Sequence, residues 1–471
     1  MCGIVGISSC ADVSFSLYYA LYALQHRGQD SAGIATFNGS GLCKHKDNGL
    51  VGNVFSELIL KSLIGEVGIG HVRYPTTGEN HPENIQPFLF TFRGHAIAIA
   101  HNGNLVNYHD LRTKFEEKGQ IFWSTSDTEI ISKIITEEIR RGGTIEDAVR
   151  QCMKCLKGSY SVVMMYDGDL YAFRDPHGIR PLCFGRFGDA YVICSESVAI
   201  DALAGGLERD VHPGEMIHIS TDGIRSKQIA EAHCHGHCVF EYIYFARADS
   251  RLDGSLVYDV RRKIGAQIFE EKPTHADVVC TVPDSGTAYA VGFSEKSGIP
   301  FMECLIKNRY MGRTFIMPTQ EMREKAVRIK LNPIPDLLRG RSIVLVDDSI
   351  VRGTTSRRII KTMRDAGAGD IHMRIGSPII KAPCYLGVDM PTRTELIGSD
   401  KKVEDVRKSI TATSLHYISL PALIRAIGIG ERDLCLGCLT GCYPVEIRNE
   451  MCDNRCITIV DRDYQTNLFS R

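Results

Sequence analysis

Two stretches of this chain carry residues whose types and spacing could do chemistry. The first is the start, Met1-Cys2-Gly3-Ile4-Val5-Gly6-Ile7, a short apolar strand with a thiol at its head. Removal of Met1 would leave Cys2 with both a thiol and a free α-amine. With pKa values of about 8.5 and about 7.7 to 8.0, the amine can serve as base for the thiol of its own residue. A cysteine at position 2 means little by itself, so its weight comes from the motifs downstream of it. The second stretch, residues 342–356, is an apolar run stopped by Asp347 and Asp348 and then by Ser349, Arg352, Gly353, Thr354 and Thr355. Backbone N–H groups from Arg352 to Thr355, with the two threonine hydroxyls, can cradle a phosphate where a helix dipole favours anions. The adjacent carboxylates would face sugar hydroxyls or a magnesium ion, which takes hard oxygen ligands and needs few from protein.

The elements that must position these groups follow from patterning. Ile343 to Val346 reads as a buried parallel strand, and Arg357 to Ala366, with Ile359, Ile360 and Met363 at helical spacing, as the helix after the loop. No Gly-x-x-x-x-Gly-Lys precedes that helix, so this is not a Walker loop. In the first half, polar or glycine clusters at Gln25–Gly33, Gly70–Thr76, His101–Asn104 and Ser126–Glu129 each sit beside an apolar strand-like or helical segment. Alone, Asn102-Gly103 reads as a hairpin turn. Asp175 to Pro181 reads as a rigid turn, and Cys152-Met-Lys-Cys155 as two core or surface thiols in a helix that Gly158 ends. From about Thr221 to His237 the chain turns polar and irregular, which marks a domain junction. The strand Val278–Val282 leads into Pro283-Asp284-Ser285-Gly286-Thr287, a small-residue loop able to present amides to pyrophosphate, with Ser285 placed to help hold magnesium. Asn308 to Pro333, with Gln320, Arg323, Lys325, Arg328, Lys330 and Asn332, reads as a basic lid over an anionic substrate.

Composition bounds these readings. A chain of 471 residues holds two or three domains, and 44% hydrophobic with 24% charged residues is ordinary for a soluble globular protein. A net charge of -1 gives no basic field for nucleic acid. No long apolar run or signal peptide is present, so a cytoplasmic enzyme is expected. The 17 cysteines are scattered, which suits reduced core thiols with a minority kept for chemistry or metal.

Taken in order, the first-half clusters resemble the class II, N-terminal-nucleophile glutamine amidotransferases. That resemblance implies an αββα sandwich over residues 2–226 that hydrolyses glutamine. By motif, Cys2 attacks the amide carbon, Asn102 and the Gly103 N–H hold the oxyanion, Arg73 pairs with the glutamine carboxylate and Asp127 with its ammonium. His26 and His71 then order loops, because the amine already fills the base role. The 342–356 loop resembles that of type I phosphoribosyltransferases, which bind phosphoribosyl pyrophosphate on a parallel sheet, here over residues 238–442 with 443–471 as an extension. Nearly the whole chain resembles the glutamine phosphoribosylpyrophosphate amidotransferase family, of the [4Fe–4S]-containing kind. The resemblance implies the step that commits ribose to purine synthesis, inhibition by purine nucleotides and a homo-oligomer, a tetramer. Only Met1 precedes the nucleophile where many cluster-bearing relatives carry a propeptide, and Ala248 stands where the family usually has proline. A glucosamine-6-phosphate-forming amidotransferase would not need the 342–356 loop. A DNA-binding sensor of phosphoribosyl pyrophosphate would need a basic helix-turn-helix, and none is found.

Cys435-Leu-Gly-Cys438 with the remote Cys238 and Cys384 offers four thiolates for zinc or an iron–sulfur cluster. Their places match those of the [4Fe–4S] ligands in the resembled family, where the cluster would tie the C-terminal segment to the transferase domain. Cys234 and Cys442 are rival ligands. The run His233-Cys234-His235-Gly236-His237-Cys238 offers a zinc site of its own, although its close spacing gives poor tetrahedral geometry.

Overall fold

The computed structural model describes residues 1–74, 81–231, 234–308, 331–390 and 392–447. Pro75, Thr76, His233, most of the expected basic lid and the end of the 443–471 extension lie outside these residues.

Alternating apolar residues in the first half build two antiparallel sheets. Their strands are β1 (Gly3–Ser8), β2 (Ser31–Phe37), β3 (Leu42–Asn48), β4 (Val67–Arg73), β5 (Phe88–Phe92), β6 (His95–Leu105), β7 (Gly158–Tyr166), β8 (Asp169–Arg174), β9 (Cys183–Phe187), β10 (Ala190–Cys194), β11 (Gly206–Asp210), β12 (Glu215–Ser220) and β13 (Gly223–Gln228). One sheet runs β11-β9-β10-β1-β4-β2-β3 and the other β13-β12-β8-β7-β6-β5. Ile4, Ile69, Ala98, Val163 and Leu170 fill the space between them. The helix Ser14–Ala23 covers the outer face of the first sheet with Leu17, Ala20 and Leu21. Helices Tyr108–Glu117, Thr128–Arg140 and Ile145–Cys155 cover the second. The layers are therefore αββα, as the resemblance implies.

Two local expectations fail here for physical reasons. The helix Ile145–Cys155, opened by a Thr144–Asp147 capping box, stops before Gly158. Gly158 instead begins β7, where a Cβ would lie 2.2 Å from the Asn104 carbonyl oxygen. The polar stretch after Thr221 includes β13, which is polar because it is an edge strand with one neighbour.

The second half contains β14 (His237–Cys238), β15 (Arg251–Leu252), β16 (Ser255–Leu256), β17 (Val278–Thr281), β18 (Leu305–Lys307), β19 (Leu331–Pro333), β20 (Ile343–Asp347), β21 (Ile371–Ile375), β22 (Ser414–Tyr417) and β23 (Leu434–Cys435). Strands β17-β20-β21-β22 form a parallel sheet. Val279, Val344 and Val346 pack on one face with Ile264, Tyr289 and Phe293, while Val278, Ile343 and Leu345 pack on the other with Ile359, Ile360 and Met363. Burial on both faces explains why β20 is an unbroken apolar run. The helix after it starts at Thr354, three residues before the sequence expectation, with Gly353 ahead of it at φ +75. Between Val239 and Ser250 the chain forms one wide helical turn, Glu241–Phe245. Strands β18 and β19 pair antiparallel, so the two flanks of the expected lid are joined at their base.

The halves share a core. Strand β14 pairs with β23, and Ile179 from the sandwich packs in the same cluster as Cys238, Cys435 and Leu436. Cys280 and Cys304 are joined by a disulfide, while most other cysteines are free thiols. Among the described residues no helix is long and apolar enough to cross a membrane.

Candidate active sites and a cysteine-lined cavity

Cys2 stands at the head of β1, which lies between β10 and β4. It is buried; its backbone N–H donates to Asn102 Oδ1 at 3.2 Å, and its carbonyl accepts from Arg27 Nε at 2.9 Å. That backbone nitrogen is the atom that would become the α-amine once Met1 is removed. Burial, more than the nearby Arg180 and Arg27 charges, lowers the Met1 amine to about 6, so this end of the chain holds an amine neutral at pH 7. Asn102 and Gly103 lie inside β6, opposite Ser161 and Tyr160, and not in a hairpin turn. The long β6–β7 ladder overrides the local Asn-Gly preference. Asn102 Nδ2 is buried and has no partner among the described residues, which leaves a donor for a developing oxyanion. At Gly103 a Cβ would sit 2.0 Å from the Ser159 carbonyl oxygen, so only glycine fits.

Arg73 ends β4 and Asp127 caps the helix Thr128–Arg140, both buried. Burial lowers the Arg73 pKa, while the charges of Cys2, Asp30 and Asp127 act in the opposite sense. Asp127 Oδ2 accepts from the Leu105 N–H at 3.0 Å. A cation and a carboxylate beside one thiol match the two charged ends of a free amino acid. His71 is held neutral by burial and then by the Arg73 charge, and His26 Nε2 lies 2.8 Å from Glu196.

The sequence reading missed a buried charge network behind the nucleophile. Besides the Cys2 carbonyl, Arg27 holds Glu196 and, through two hydrogen bonds at 2.7 and 3.0 Å, Glu241. Arg180 is fully buried, donates to the Leu386 carbonyl at 2.8 Å and lies 3.4 Å from Glu241. The only sequence signal was a charge inside an apolar segment, Glu241 between Phe240 and Tyr242. The loop 384–389 also presses on the sandwich. Asn104 Nδ2 donates to the Tyr385 carbonyl at 2.8 Å, Ser159 Oγ to the Leu386 carbonyl at 2.8 Å and the Tyr74 hydroxyl to Asp389 at 2.9 Å.

In the second half, Asp347 and Asp348 are buried at the end of β20. Burial, and then the Asp348 charge, pushes the Asp347 carboxyl well up; burial also raises Asp348 against hydrogen bonds from Ser285 and Ser349. Ser349 Oγ donates to Asp348 at 2.6 Å, and the Asp348 N–H to Asp347 Oδ1 at 2.9 Å. Ser285, Asp347 and Asp348 are thus brought together from two strand ends. Side-by-side buried carboxylates are costly without a cation, and this all-oxygen set fits magnesium. Gly353 turns the chain into the helix of Thr354 and Thr355, whose side chains are exposed, and Arg352 pairs with Glu395 at 2.9 Å.

Cys238, Cys384, Cys435 and Cys438 line one cavity with Arg180, Leu386 and Tyr443. Cys238 and Cys435 face each other across the β14–β23 pair. At Gly437 a Cβ would meet the Tyr443 ring at 2.2 Å, so glycine lets that ring pack against the turn between Cys435 and Cys438. Burial raises the thiols of Cys238, Cys435 and Cys438, so they ionise readily only on metal. Among the described residues no three of these sulfurs lie within 4.8 Å of one another. A tetrahedral zinc with Zn–S of about 2.3 Å needs sulfurs about 3.8 Å apart. Four thiols around one cavity are the donor set that an iron–sulfur cluster takes. The rivals do not line the cavity: Cys234 Sγ lies 3.7 Å from His177 Nδ1, and Cys442 is disulfide-bonded. Cys152 and Cys155 are buried core thiols raised by burial.

Comparison with known proteins agrees with this geometry. A family profile described as a glutamine amidotransferase domain matches residues 71–202. The amidophosphoribosyltransferase of Methanothermobacter thermautotrophicus is 51% identical over 455 residues, 96% of each chain. That of Archaeoglobus fulgidus is 48% identical over 96% of this chain and 100% of its own. The glutamine phosphoribosylpyrophosphate amidotransferase of B. subtilis, solved with ADP and GMP, superposes with a TM-score of 0.89 at 42% identity, covering 96% of this chain and 99% of that one. Fold and likeness define a class, the glutamine-dependent transferases in which an αββα sandwich is joined to a parallel sheet. The chain belongs to the amidophosphoribosyltransferase family.

Proposed function

We propose that this chain hydrolyses glutamine at Cys2 and passes the ammonia to phosphoribosyl pyrophosphate, giving glutamate, 5-phosphoribosylamine and pyrophosphate at the first committed step of purine biosynthesis. The observation that carries this reading is one chain holding both a buried N-terminal thiol against Asn102 and a buried Asp347–Asp348 pair at a parallel strand end. Residues 2–226 are read as the glutaminase, 238–442 as the transferase and 443–471 as an extension.

The Cys2 sulfur bonds to the glutamine amide carbon while its α-amine takes the thiol proton. Asn102 and the Gly103 N–H stabilise the oxyanion, and Arg73 and Asp127 hold the two ends of the substrate. Collapse breaks the carbon–nitrogen bond, ammonia leaves with that proton, and water hydrolyses the thioester to glutamate. The ammonia lone pair then bonds to the anomeric carbon as the carbon–oxygen bond to pyrophosphate breaks. Ser349, Arg352, Gly353, Thr354 and Thr355 hold the 5-phosphate and ribose, supported by a helix start preceded by glycine at φ +75. Magnesium, when bound by Ser285, Asp347 and Asp348, offsets charge on the pyrophosphate.

Cys238, Cys384, Cys435 and Cys438 would hold a structural [4Fe–4S] cluster, supported by their lining one cavity. Anaerobic protein should carry about four irons and four sulfides per chain. The ADP and GMP on the B. subtilis relative support inhibition by purine nucleotides. A cytoplasmic homotetramer completes the reading. The test is pyrophosphate release from phosphoribosyl pyrophosphate with magnesium and glutamine. Release that depends on both bears out the function, and none with glutamine or ammonium overturns it.

A further inference from the structure

The junction holds a second group of metal-ligating side chains outside the cysteine-lined cavity. His235, His237 and Asp253 each place one ligand atom within 4.8 Å of the others, the one such group among the described residues. They come from two elements. His235 and His237 lie at or just before β14, and Asp253 occupies the turn between β15 and β16, where it has φ +48 and Gly254 has φ +79. Asp253 Oδ2 lies 2.5 Å from His237 Nδ1. His235 Nε2 is buried with no hydrogen-bond partner among the described residues, a costly state for a ring nitrogen.

The turn that carries Asp253 is held in place. A second carboxylate, Asp210, accepts the Asp253 N–H at 2.9 Å and fixes the turn that carries the ligand. The Arg174 guanidinium, whose charge acts on all three residues, donates to the carbonyls of Gly178, Arg180 and Val211.

We propose that His235, His237 and Asp253 bind one divalent transition-metal ion of the zinc type, which pins the segment joining the two halves to the β15–β16 hairpin. Two imidazoles and a carboxylate, with water in the fourth position, form a donor set suited to zinc and poorly suited to magnesium. The run 233–238 had looked too closely spaced to surround a metal, and Asp253 supplies the ligand it lacks. The site is distinct from the cavity of Cys238, which neither histidine lines. Gly236 bonds the His177 carbonyl at 2.7 Å, so a metal here would tighten a segment already fastened to the sandwich.

The experiment uses the full chain purified without oxygen, loaded with zinc, passed over a weak chelator and analysed for zinc, iron and sulfide beside His235→Gln and Asp253→Asn. About one zinc per chain should remain in the wild type and fall about tenfold or more in both variants, with iron and sulfide unchanged. No retained zinc in the wild type, or equal zinc in all three proteins, overturns the proposal. Should a variant misfold and lose its iron, cobalt in the wild type decides. Visible ligand-field bands without thiolate-to-cobalt charge transfer support the site, and strong thiolate charge transfer places the ion on cysteines and refutes it.

Discussion

Behind the glutaminase nucleophile buried charges are paired by the protein itself, whereas Asp347 and Asp348 at the transferase strand end have no ion pair among the described residues. Arg27 holds Glu196, Glu241 and the Cys2 carbonyl together, and Arg180 reaches from the sandwich to the Leu386 carbonyl. Asp347 and Asp348 instead lie side by side with their hydrogen bonds drawn from Ser285, Ser349 and one backbone N–H. The network behind the first site has its charges paired as folded. The second is left to be completed by a cation and an anionic substrate. A nucleophile must be held still before its substrate arrives, while a phosphate site is held open by the charge deficit that draws ligands in.

Removing a carboxylate from the incomplete site should have the largest effect. Asp348→Asn is expected to slow pyrophosphate release about 10³-fold with glutamine and with ammonium alike, because both nitrogen sources share that site. Asn102→Ala should slow glutamine hydrolysis about 10²-fold and leave the ammonium-dependent rate unchanged, read from paired steady-state assays. A loss in both rates would mean that Asn102 supports the transferase half as well.

Smaller changes probe the network that completes the first site. Glu241→Gln leaves the buried Arg27 and Arg180 undercompensated and should cost about 3 kcal/mol in urea unfolding. A cost near zero would show that the pairing across the halves is dispensable. The smallest expected effect is on pH dependence. Burial would raise the Glu196 carboxyl, but the charges of His26 and Arg27 more than reverse this and hold it far below its ordinary 4.5. Its folded value being the lower one, its contribution is whole above about pH 4.5 and is lost as the pH falls further. Unfolding curves between about pH 5 and pH 3 should therefore fall more steeply for wild type than for Glu196→Gln.

What was legible in the sequence was local. Cys2 ahead of an apolar strand, the Asp347–Thr355 loop and the late Cys435–Cys438 pair each announce themselves within a few residues. The Asn102-Gly103 pair misled for the opposite reason, because its conformation is set by β7, far along the chain. Arg27 and Glu241, 214 residues apart, are not recognisable as partners until the fold buries them together. Arg180 lay in a segment that read only as a turn, since its partners in the 384–389 loop come from the other half. Sequence patterning shows which residues can react, while the pairings that hold them belong to tertiary structure.

Two separable chemistries share one chain, and the direct test is pyrophosphate release by Cys2→Ala supplied with glutamine or with ammonium, beside wild type. The glutamine-dependent rate is expected to fall by about 10³-fold or more while the ammonium-dependent rate stays within about twofold. Equal loss of both rates would contradict the separation.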